Sequence, residues 1–147
     1  MGDYLTNIPF MLSFFELEWP VKKILIADDE TAIRLLIHST LENEEYDIIE
    51  SQNGPETVEK FREEAPDLLI LDLMMPGLSG SEVCEKIRLD PKAKQAPIII
   101  LTAKGKISDE AARQEFGADY YLTKPFSPLE LLACVNKVLN KTSPHKP

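Results

Sequence analysis

The sequence predicts an α/β domain in which five strands alternate with five helices around a parallel sheet. Short apolar runs of strand length alternate with segments whose apolar residues recur at helical spacing. The run at residues 68–71 is apolar at every position, which indicates a strand buried on both faces between two helix layers. Two Ser-x-x-Glu capping boxes, at residues 79–82 and 127–130, mark the starts of helices.

The first half of the pattern contains three strands and two helices. Residues 24–27 form the first strand candidate, 46–51 the second and 68–71 the third. The helix between the first two has one apolar face, formed by Ile33, Leu36, Ile37, Thr40 and Leu41. Pro55 is well placed to open the next helix, and Pro66 ends it. Val58, Phe61 and Ala65 are expected to line that second helix.

The second half repeats the alternation. The first capping box opens a third helix, whose inner stripe is Val83, Cys84 and Ile87. Residues 97–101 form a fourth strand, 108–116 a shorter helix ended by Gly117 in the left-handed conformation, and 120–122 a short fifth strand. The last helix begins at Pro128, and its apolar face is Leu131, Leu132, Val135, Val138 and Leu139.

Composition and charge limit the function. Of the 147 residues, 44% are hydrophobic and 28% are charged, as is usual for a soluble globular protein. A net charge of -9 argues against binding of nucleic acid by the chain as a whole. Cys84 and Cys134 have no metal-like spacing, and we expect free thiols in a reducing cytoplasm. Cys84 is expected to pack in the core and Cys134 to be partly buried.

Pro20 divides an oily leader at residues 1–20 from the domain at 21–141, and 142–147 form a polar tail that we expect to be frayed, with no output domain after it. The leader has no basic start and no small-residue cleavage site, so it does not resemble a signal peptide. It could be a docked helix or strand, a remnant of an upstream domain, or a contact surface for another chain. Packing on the domain or contact within an oligomer is weakly favoured. No run approaches about 20 apolar residues, so no transmembrane helix is expected.

Polar residues follow the predicted strands at their carboxyl ends. They are Asp28 and Asp29 after the first strand, Asp72 after the third, Thr102 after the fourth and Lys124 after the fifth. In a parallel sheet these ends share one edge, where ligands bind, so the five side chains should converge. Three aspartates would repel one another unless a hard cation such as Mg²⁺ neutralised them. Lys124 and Thr102 suit the oxygens of a phosphoryl group, and Asp72 remains to act as the nucleophile.

Four segments at these strand ends resemble the signature segments of response-regulator receiver domains of two-component systems. They are ILIADDE at 24–30, LLILDLMMPGLSG at 68–80, LTAK at 101–104 and TKPF at 123–126. The resemblance covers roughly residues 22–140 and is closest in kind to the single-domain chemotaxis regulators. It implies a flavodoxin-like, doubly wound sheet with strand order 2-1-3-4-5.

The resemblance also implies roles for individual residues. Asp72 would accept the phosphoryl group, with Thr102 and Lys124 on the phosphoryl oxygens. Asp28, Asp29, Asp72 and the main-chain carbonyl of Met74 would bind Mg²⁺ or Mn²⁺, in part through water. Thr102 and Tyr121 would form the switch, and the bond between Lys124 and Pro125 would be cis.

The implied function is a cytoplasmic signalling switch that catalyses only its own phosphorylation and slow dephosphorylation, and is not otherwise an enzyme. Its partners would be a sensor histidine kinase or histidine phosphotransfer protein, a downstream protein target and, as a further candidate, a second copy. Direct contact with nucleic acid or membrane is not expected. One alternative is a metal-dependent phosphatase with an aspartyl intermediate, although such enzymes usually place an aspartate where Met74 stands. A flavodoxin-like electron carrier is another, although Asp28 and Asp29 would repel its cofactor phosphate.

Each site residue also has a simpler interpretation. Asp29 alone could be a helix cap, Thr102 a loop hydroxyl and Lys124 a solvated charge; together these interpretations are poor. Met74 and Met75 are expected to pack locally. His38 lies off the apolar stripe and is expected to be exposed and unspecialised.

Overall fold

A five-stranded sheet with helices on both faces forms the domain in the computed structural model, which describes residues 21–42, 44–93, 95–103 and 117–142. The strands are β1 (Lys23–Ala27), β2 (Asp47–Ser51), β3 (Leu68–Asp72), β4 (Ile98–Ala103) and β5 (Tyr120–Lys124). The helices are α1 (Thr31–Glu42), α2 (Gly54–Glu64), α3 (Gly80–Leu89) and α4 (Pro128–Thr142). The leader at 1–20, the helix predicted at 108–116 and most of the tail lie outside the described residues.

The strand order is β2-β1-β3-β4-β5, and all four neighbouring pairs are parallel. This confirms the predicted fold class. From β1 the chain goes first to one side of the sheet, to β2, and then to the other, to β3. The order therefore reverses between β1 and β3, and a crevice opens at their carboxyl ends.

Side chains of the central strands alternate between two apolar layers, which explains why those strands are apolar throughout. Leu25, Leu69 and Ile100 face a layer that contains Phe61 of α2 and Val83 of α3. The intervening strand residues face a second layer, built from α1 and α4, with Ile37, Leu41, Leu131 and Val135 buried in it. Each fully buried aliphatic side chain contributes about 1.5–3 kcal/mol, so these layers hold the strand ends in fixed positions.

Helix starts follow the predicted caps. The Ser79 hydroxyl accepts a hydrogen bond from the Glu82 N–H at 3.2 Å, while the Glu82 carboxylate accepts the Ser79 N–H at 2.9 Å. Ser127 and Glu130 form the same reciprocal pair at 3.1 and 2.8 Å. Both capping boxes are therefore confirmed.

Two local expectations need correction. Ala65 does not line α2, because the helix ends at Glu64 and Ala65 is the exposed cap, with φ 46° and its N–H bonded to the Phe61 carbonyl. Strands β4 and β5 continue to Ala103 and Lys124 instead of stopping at residues 101 and 122, since residues 123 and 124 still pair with Thr102 and Ala103. Lys124 is thus held by the sheet itself. Gly117 has the predicted left-handed conformation, with φ 64°.

The two cysteines, Cys84 and Cys134, are free and buried, at 2% and 8% exposure, so both pack in the core. Burial raises the pKa of each thiol to about 11. Within the described part of the chain, no helix combines the length and the apolar character needed to cross a membrane.

Candidate functional site

Three carboxylates meet at the crevice between β1 and β3. Asp28, Asp29 and Asp72 each offer one oxygen, and these oxygens all lie within 4.8 Å of one another. Asp28 is fully buried and Asp72 is 4% exposed, whereas Asp29 is exposed. Because Ala27, the last residue of β1, pairs with Leu71, the residue before Asp72, the sheet register brings together side chains more than forty positions apart in sequence.

Backbone hydrogen bonds fix the two buried carboxylates. The Asp28 N–H donates to the Ser51 carbonyl at 3.1 Å, and one Asp28 carboxylate oxygen, Oδ1, accepts the Glu30 N–H at 2.9 Å. In the same way, Oδ1 of Asp72 accepts the Met74 N–H at 3.3 Å. Each aspartate therefore closes a short turn with one oxygen and keeps the other for a ligand.

Lys124 reaches the carboxylates from the end of β5. Its ammonium nitrogen lies 3.0 Å from Asp28 Oδ2, 3.1 Å from Glu30 Oε1 and 3.5 Å from Asp72 Oδ1. The contact with Asp28 is an ion pair without hydrogen-bond direction, so Asp28 Oδ2 is a buried oxygen that accepts no hydrogen bond from the part of the chain that the structure describes. The sequence prediction did not include Glu30 in the site, although its position directly after two aspartates was a signal.

The site disfavours the charged forms of its two buried carboxylates, Asp28 and Asp72. Burial, and next the negative charge of Asp28, raises the pKa of Asp72 to about 6. Burial likewise raises the pKa of Asp28, and the Glu30 N–H and Lys124 offset this only in part. Burial lowers the pKa of Lys124, but the close contact with Asp28 and the charges of Asp28 and Asp72 outweigh that effect and raise it. Lys124 therefore stays charged, and its ammonium faces several acids.

The donor set fits a hard divalent cation. It consists of carboxylate oxygens, one of them buried without a hydrogen bond, and Mg²⁺ and Mn²⁺ prefer such ligands. A cation would also neutralise the repulsion that raises the Asp72 pKa. The assignment of the Met74 carbonyl as a ligand remains a prediction.

Thr102 and Tyr121 lie on the neighbouring strands. Thr102 is 3% exposed, and among the described residues its hydroxyl donates a single long hydrogen bond of 3.4 Å, to the Ala103 carbonyl. Its strand neighbour Leu101 pairs with Asp72, so the hydroxyl lies one residue beyond the acidic cluster. Tyr121 is half-buried and packs against the layer under α2 and α3. The peptide bond between Lys124 and Pro125 is cis, the geometry that the resemblance implies.

Two expectations about residues near the site were wrong. The Met74 side chain is 76% exposed instead of packed, because Met74 lies in the loop that leaves the sheet, whereas Met75 is buried as expected. His38 is not unspecialised: it is half-buried, and its Nδ1 lies 2.6 Å from a carboxylate oxygen of Glu50. The cause is the adjacent strand β2, whose Glu50 faces α1.

Comparison with known proteins identifies relatives of this arrangement. Residues 24–136 match the family model described as the response regulator receiver domain. The transcriptional regulatory protein ResD of Bacillus subtilis is 47% identical over 121 residues, which cover 82% of this chain and 49% of ResD. The chain thus spans about half the length of the curated relatives it matches.

Solved structures agree with the sequence relatives. A putative response regulator from Chloroflexus aurantiacus has a TM-score of 0.75 and 35% identity, with 82% of this chain and 98% of that chain covered. The receiver domain of a sensor histidine kinase from Pseudomonas aeruginosa PAO1 has a TM-score of 0.73 and 25% identity, covering 82% and 98% of the two chains. That structure has a magnesium ion coordinated in its active-site cleft.

Proposed function

The chain belongs to the response regulator receiver domain family, and we propose that Asp72 is its phosphoacceptor, taking a phosphoryl group from a histidine kinase or a histidine phosphotransfer protein in a Mg²⁺-dependent reaction. The observation that carries this is the position of the Lys124 ammonium, within 3.5 Å of the two buried carboxylates Asp28 and Asp72. A nucleophilic carboxylate beside a fixed cation is what phosphoryl transfer needs.

In the proposed reaction, an Asp72 carboxylate oxygen attacks the phosphorus of a phosphohistidine. A P–O bond forms and the P–N bond breaks; the imidazole nitrogen leaves with the electron pair and takes up a proton. The raised pKa of Asp72, about 6, leaves it ionised at neutral pH and more basic than an ordinary aspartate. A cation held by Asp28, Asp29 and Asp72 would screen the phosphoryl charge, and Lys124 and Thr102 would contact its oxygens.

The switch would act through Thr102 and Tyr121. A phosphoryl group carries about two negative charges, one more than the carboxylate that it modifies, and strong acceptor oxygens. Among the described residues, the Thr102 hydroxyl has a single long bond to give up. We expect Thr102 to turn toward the phosphoryl group and Tyr121 to follow it inward, which would remodel the surface around β5. A domain whose minor state lies a few kcal/mol higher needs only comparable differential binding to change state.

The proposed partners are the phosphodonor histidine protein and a downstream protein target, with a second copy of the chain as a further candidate. We propose a cytoplasmic location and no direct contact with nucleic acid or membrane by this domain. ResD is named a transcriptional regulator, but half of its length has no counterpart here, so that activity is not carried over.

Phosphorylation can be tested with acetyl phosphate as the donor. With Mg²⁺, the intact mass of the protein should rise by one phosphoryl group, and with EDTA it should not. Asp72→Asn should abolish the change, because an amide is a poor nucleophile. Asp119→Asn is the matched control, since Asp119 lies before β5, at the opposite edge of the sheet. Labelling that persists in Asp72→Asn would refute the assignment, and fast turnover of a generic phosphatase substrate would favour the enzyme alternative.

The switch can be tested by NMR with beryllofluoride as the phosphoryl mimic. The Tyr121 resonances should shift in the wild type. Thr102→Ala should still bind the mimic but lose most of that shift, because the hydroxyl connects site and surface. A full Tyr121 response in Thr102→Ala would show that the coupling takes another route.

A further inference from the structure

Arg34 connects the acidic cluster to a polar network that the proposed reaction does not use. It lies on α1, and its side chain is only 13% exposed. Its Nη1 donates to the Asp28 carbonyl at 2.8 Å and its Nε donates to Glu50 at 3.0 Å, while Nη2 lies 3.4 Å from the Thr31 hydroxyl. The guanidinium therefore bridges α1, β2 and the end of β1.

The Asp28 carbonyl is an informative acceptor, because it belongs to the peptide bond that joins Asp28 to Asp29. A peptide group is planar, so fixing its oxygen restricts the orientation of the backbone on both sides. The Asp28 N–H already bonds to the Ser51 carbonyl, the last backbone bond before the chain leaves the sheet. The Arg34 bond extends this restraint across the next peptide, from which both carboxylates project.

The edge of the Arg34 guanidinium that faces Glu50 is also fixed in position. Glu50 accepts from Arg34 with one oxygen and lies 2.6 Å from His38 Nδ1 with the other. Partial burial raises the pKa of Glu50, but the bonds from His38 and Arg34 outweigh it and lower the pKa. Glu50 is thus a carboxylate at neutral pH. An arginine paired in this way on one edge presents its remaining donors in a fixed direction, which a lysine cannot do.

We propose that Arg34 is a positioning residue that holds the Asp28–Asp29 peptide so that both carboxylates face the cation site. The identity of the cation rests on the proposed function. Arg34 acts through the carbonyl bond, not through its charge, which Glu50 pairs. Loss of groups that orient metal ligands typically weakens metal binding about 10- to 100-fold, and we expect roughly a tenfold loss here.

The test compares three variants of the full chain. Arg34→Gln removes the charge and the fork, Arg34→Lys keeps the charge, and Arg88→Gln is the matched control. Arg88 also donates to two carbonyls, those of Ala96 and Gly117 at 3.0 and 3.1 Å, but away from the acidic cluster. Urea unfolding in EDTA gives the stability of each variant, and calorimetry gives its Mg²⁺ affinity.

Both Arg34 variants should bind Mg²⁺ about tenfold more weakly, whereas Arg88→Gln should lose stability but keep wild-type affinity. In acetyl phosphate labelling, the Mg²⁺ concentration at half-maximal rate should rise in the Arg34 variants, and the rate at saturating Mg²⁺ should recover. Wild-type affinity in Arg34→Lys would show that charge is sufficient and overturn the proposal. If Arg88→Gln weakened Mg²⁺ binding by the same factor, the effect would come from a general loss of stability, and the proposal would also be overturned.

A metal-free measurement separates this inference from the proposed function. The carbonyl ¹³C shift of Asp28 in EDTA should move in both Arg34 variants and stay constant in Arg88→Gln. If the wild type binds no Mg²⁺, the proposed function fails, while a moved Asp28 carbonyl would still support Arg34 as the residue that orients this peptide. An unmoved Asp28 carbonyl in the Arg34 variants would overturn the inference whatever the metal result.

Discussion

Replacing Asp72 by asparagine should stabilise the metal-free protein at neutral pH. Asp72 is 4% exposed, and burial together with the charge of Asp28 raises its pKa to about 6 from an ordinary value of 3.8. Above pH 6 the folded protein must therefore hold a carboxylate whose charged form the site disfavours. Asparagine has nearly the same shape but no charge, so it removes that cost.

The magnitude follows from the pKa difference. One pKa unit corresponds to about 1.36 kcal/mol, so the raised pKa of Asp72 costs about 3 kcal/mol at pH 7 and above. The sign follows from linkage: between pH 4 and pH 6 the folded state binds more protons at Asp72 than the unfolded state does, so stability falls as pH rises. The advantage of Asp72→Asn should thus be small near pH 4, grow through pH 6 and then level off. Lys124 keeps Asp28 and Glu30 as partners in the variant, which limits any opposing loss.

The assay is urea unfolding in EDTA at several pH values between 4 and 8. Asp90→Asn is a control of opposite sign, because a backbone bond from Lys92 and the contact with Arg62 lower the pKa of Asp90; that variant should lose stability at neutral pH. Mg²⁺ should stabilise the wild type more than Asp72→Asn, since ligand binding to the native state adds to stability. If Asp72→Asn is less stable than the wild type at pH 7, or if the difference does not change with pH, the electrostatic account of the site is wrong.

Three further outcomes are expected. Alanine at both Asp28 and Asp29 removes two carboxylates of the cluster, and calorimetry should then detect no Mg²⁺ binding; unchanged affinity would contradict the metal site. Gly54→Ala should cost about 1–3 kcal/mol in urea unfolding, because its methyl group would lie 2.4 Å from Leu78 Cβ and 2.7 Å from Leu78 N; a neutral result would mean that the loop after β3 yields easily. With pKa values of about 11 for Cys84 and Cys134, about one thiol in a thousand is ionised at pH 8, so Ellman's reagent should react far faster with unfolded than with native protein.

Sequence predicted which residues lie near the carboxyl edge of the sheet, because the signals for that position are local. An apolar run of strand length followed by an aspartate or threonine places that residue at an edge, and a parallel sheet brings the edges together. Asp28, Asp72, Thr102 and Lys124 were therefore predictable without any knowledge of contacts. The ends of β4 and β5 were missed because residues 102 and 103 pair with residues 123 and 124 through backbone bonds, which the pattern of side chains does not show.

The sequence alone did not predict which polar side chains contact one another. Glu50 meets Arg34 and His38 only because β2 lies beside β1 and beneath α1, with Glu50 paired to Ile26 in the register. A shift of one residue would turn Glu50 to the other face of the sheet. His38 lies off the apolar stripe of its helix, and this position predicts an exposed side chain. Its partner, Glu50, lies on the neighbouring strand β2, which the helix pattern alone does not reveal.

The geometry around Lys124 would limit the proposed transfer of a phosphoryl group to Asp72. Lys124 is already shared among Asp28, Glu30 and Asp72, so phosphoryl oxygens on Asp72 would have to compete with the other two for its charge. Asp28 is fully buried and cannot turn to solvent, whereas the Glu30 side chain is 60% exposed. Glu30 is therefore the partner that can be released at least cost, since an exposed ion pair contributes only about 0–1 kcal/mol. In the proposed reaction, Asp28 would keep an oxygen near positive charge throughout. Its buried Oδ2, which accepts no hydrogen bond from the described residues, would be well placed to hold a cation while Lys124 contacts the phosphoryl group.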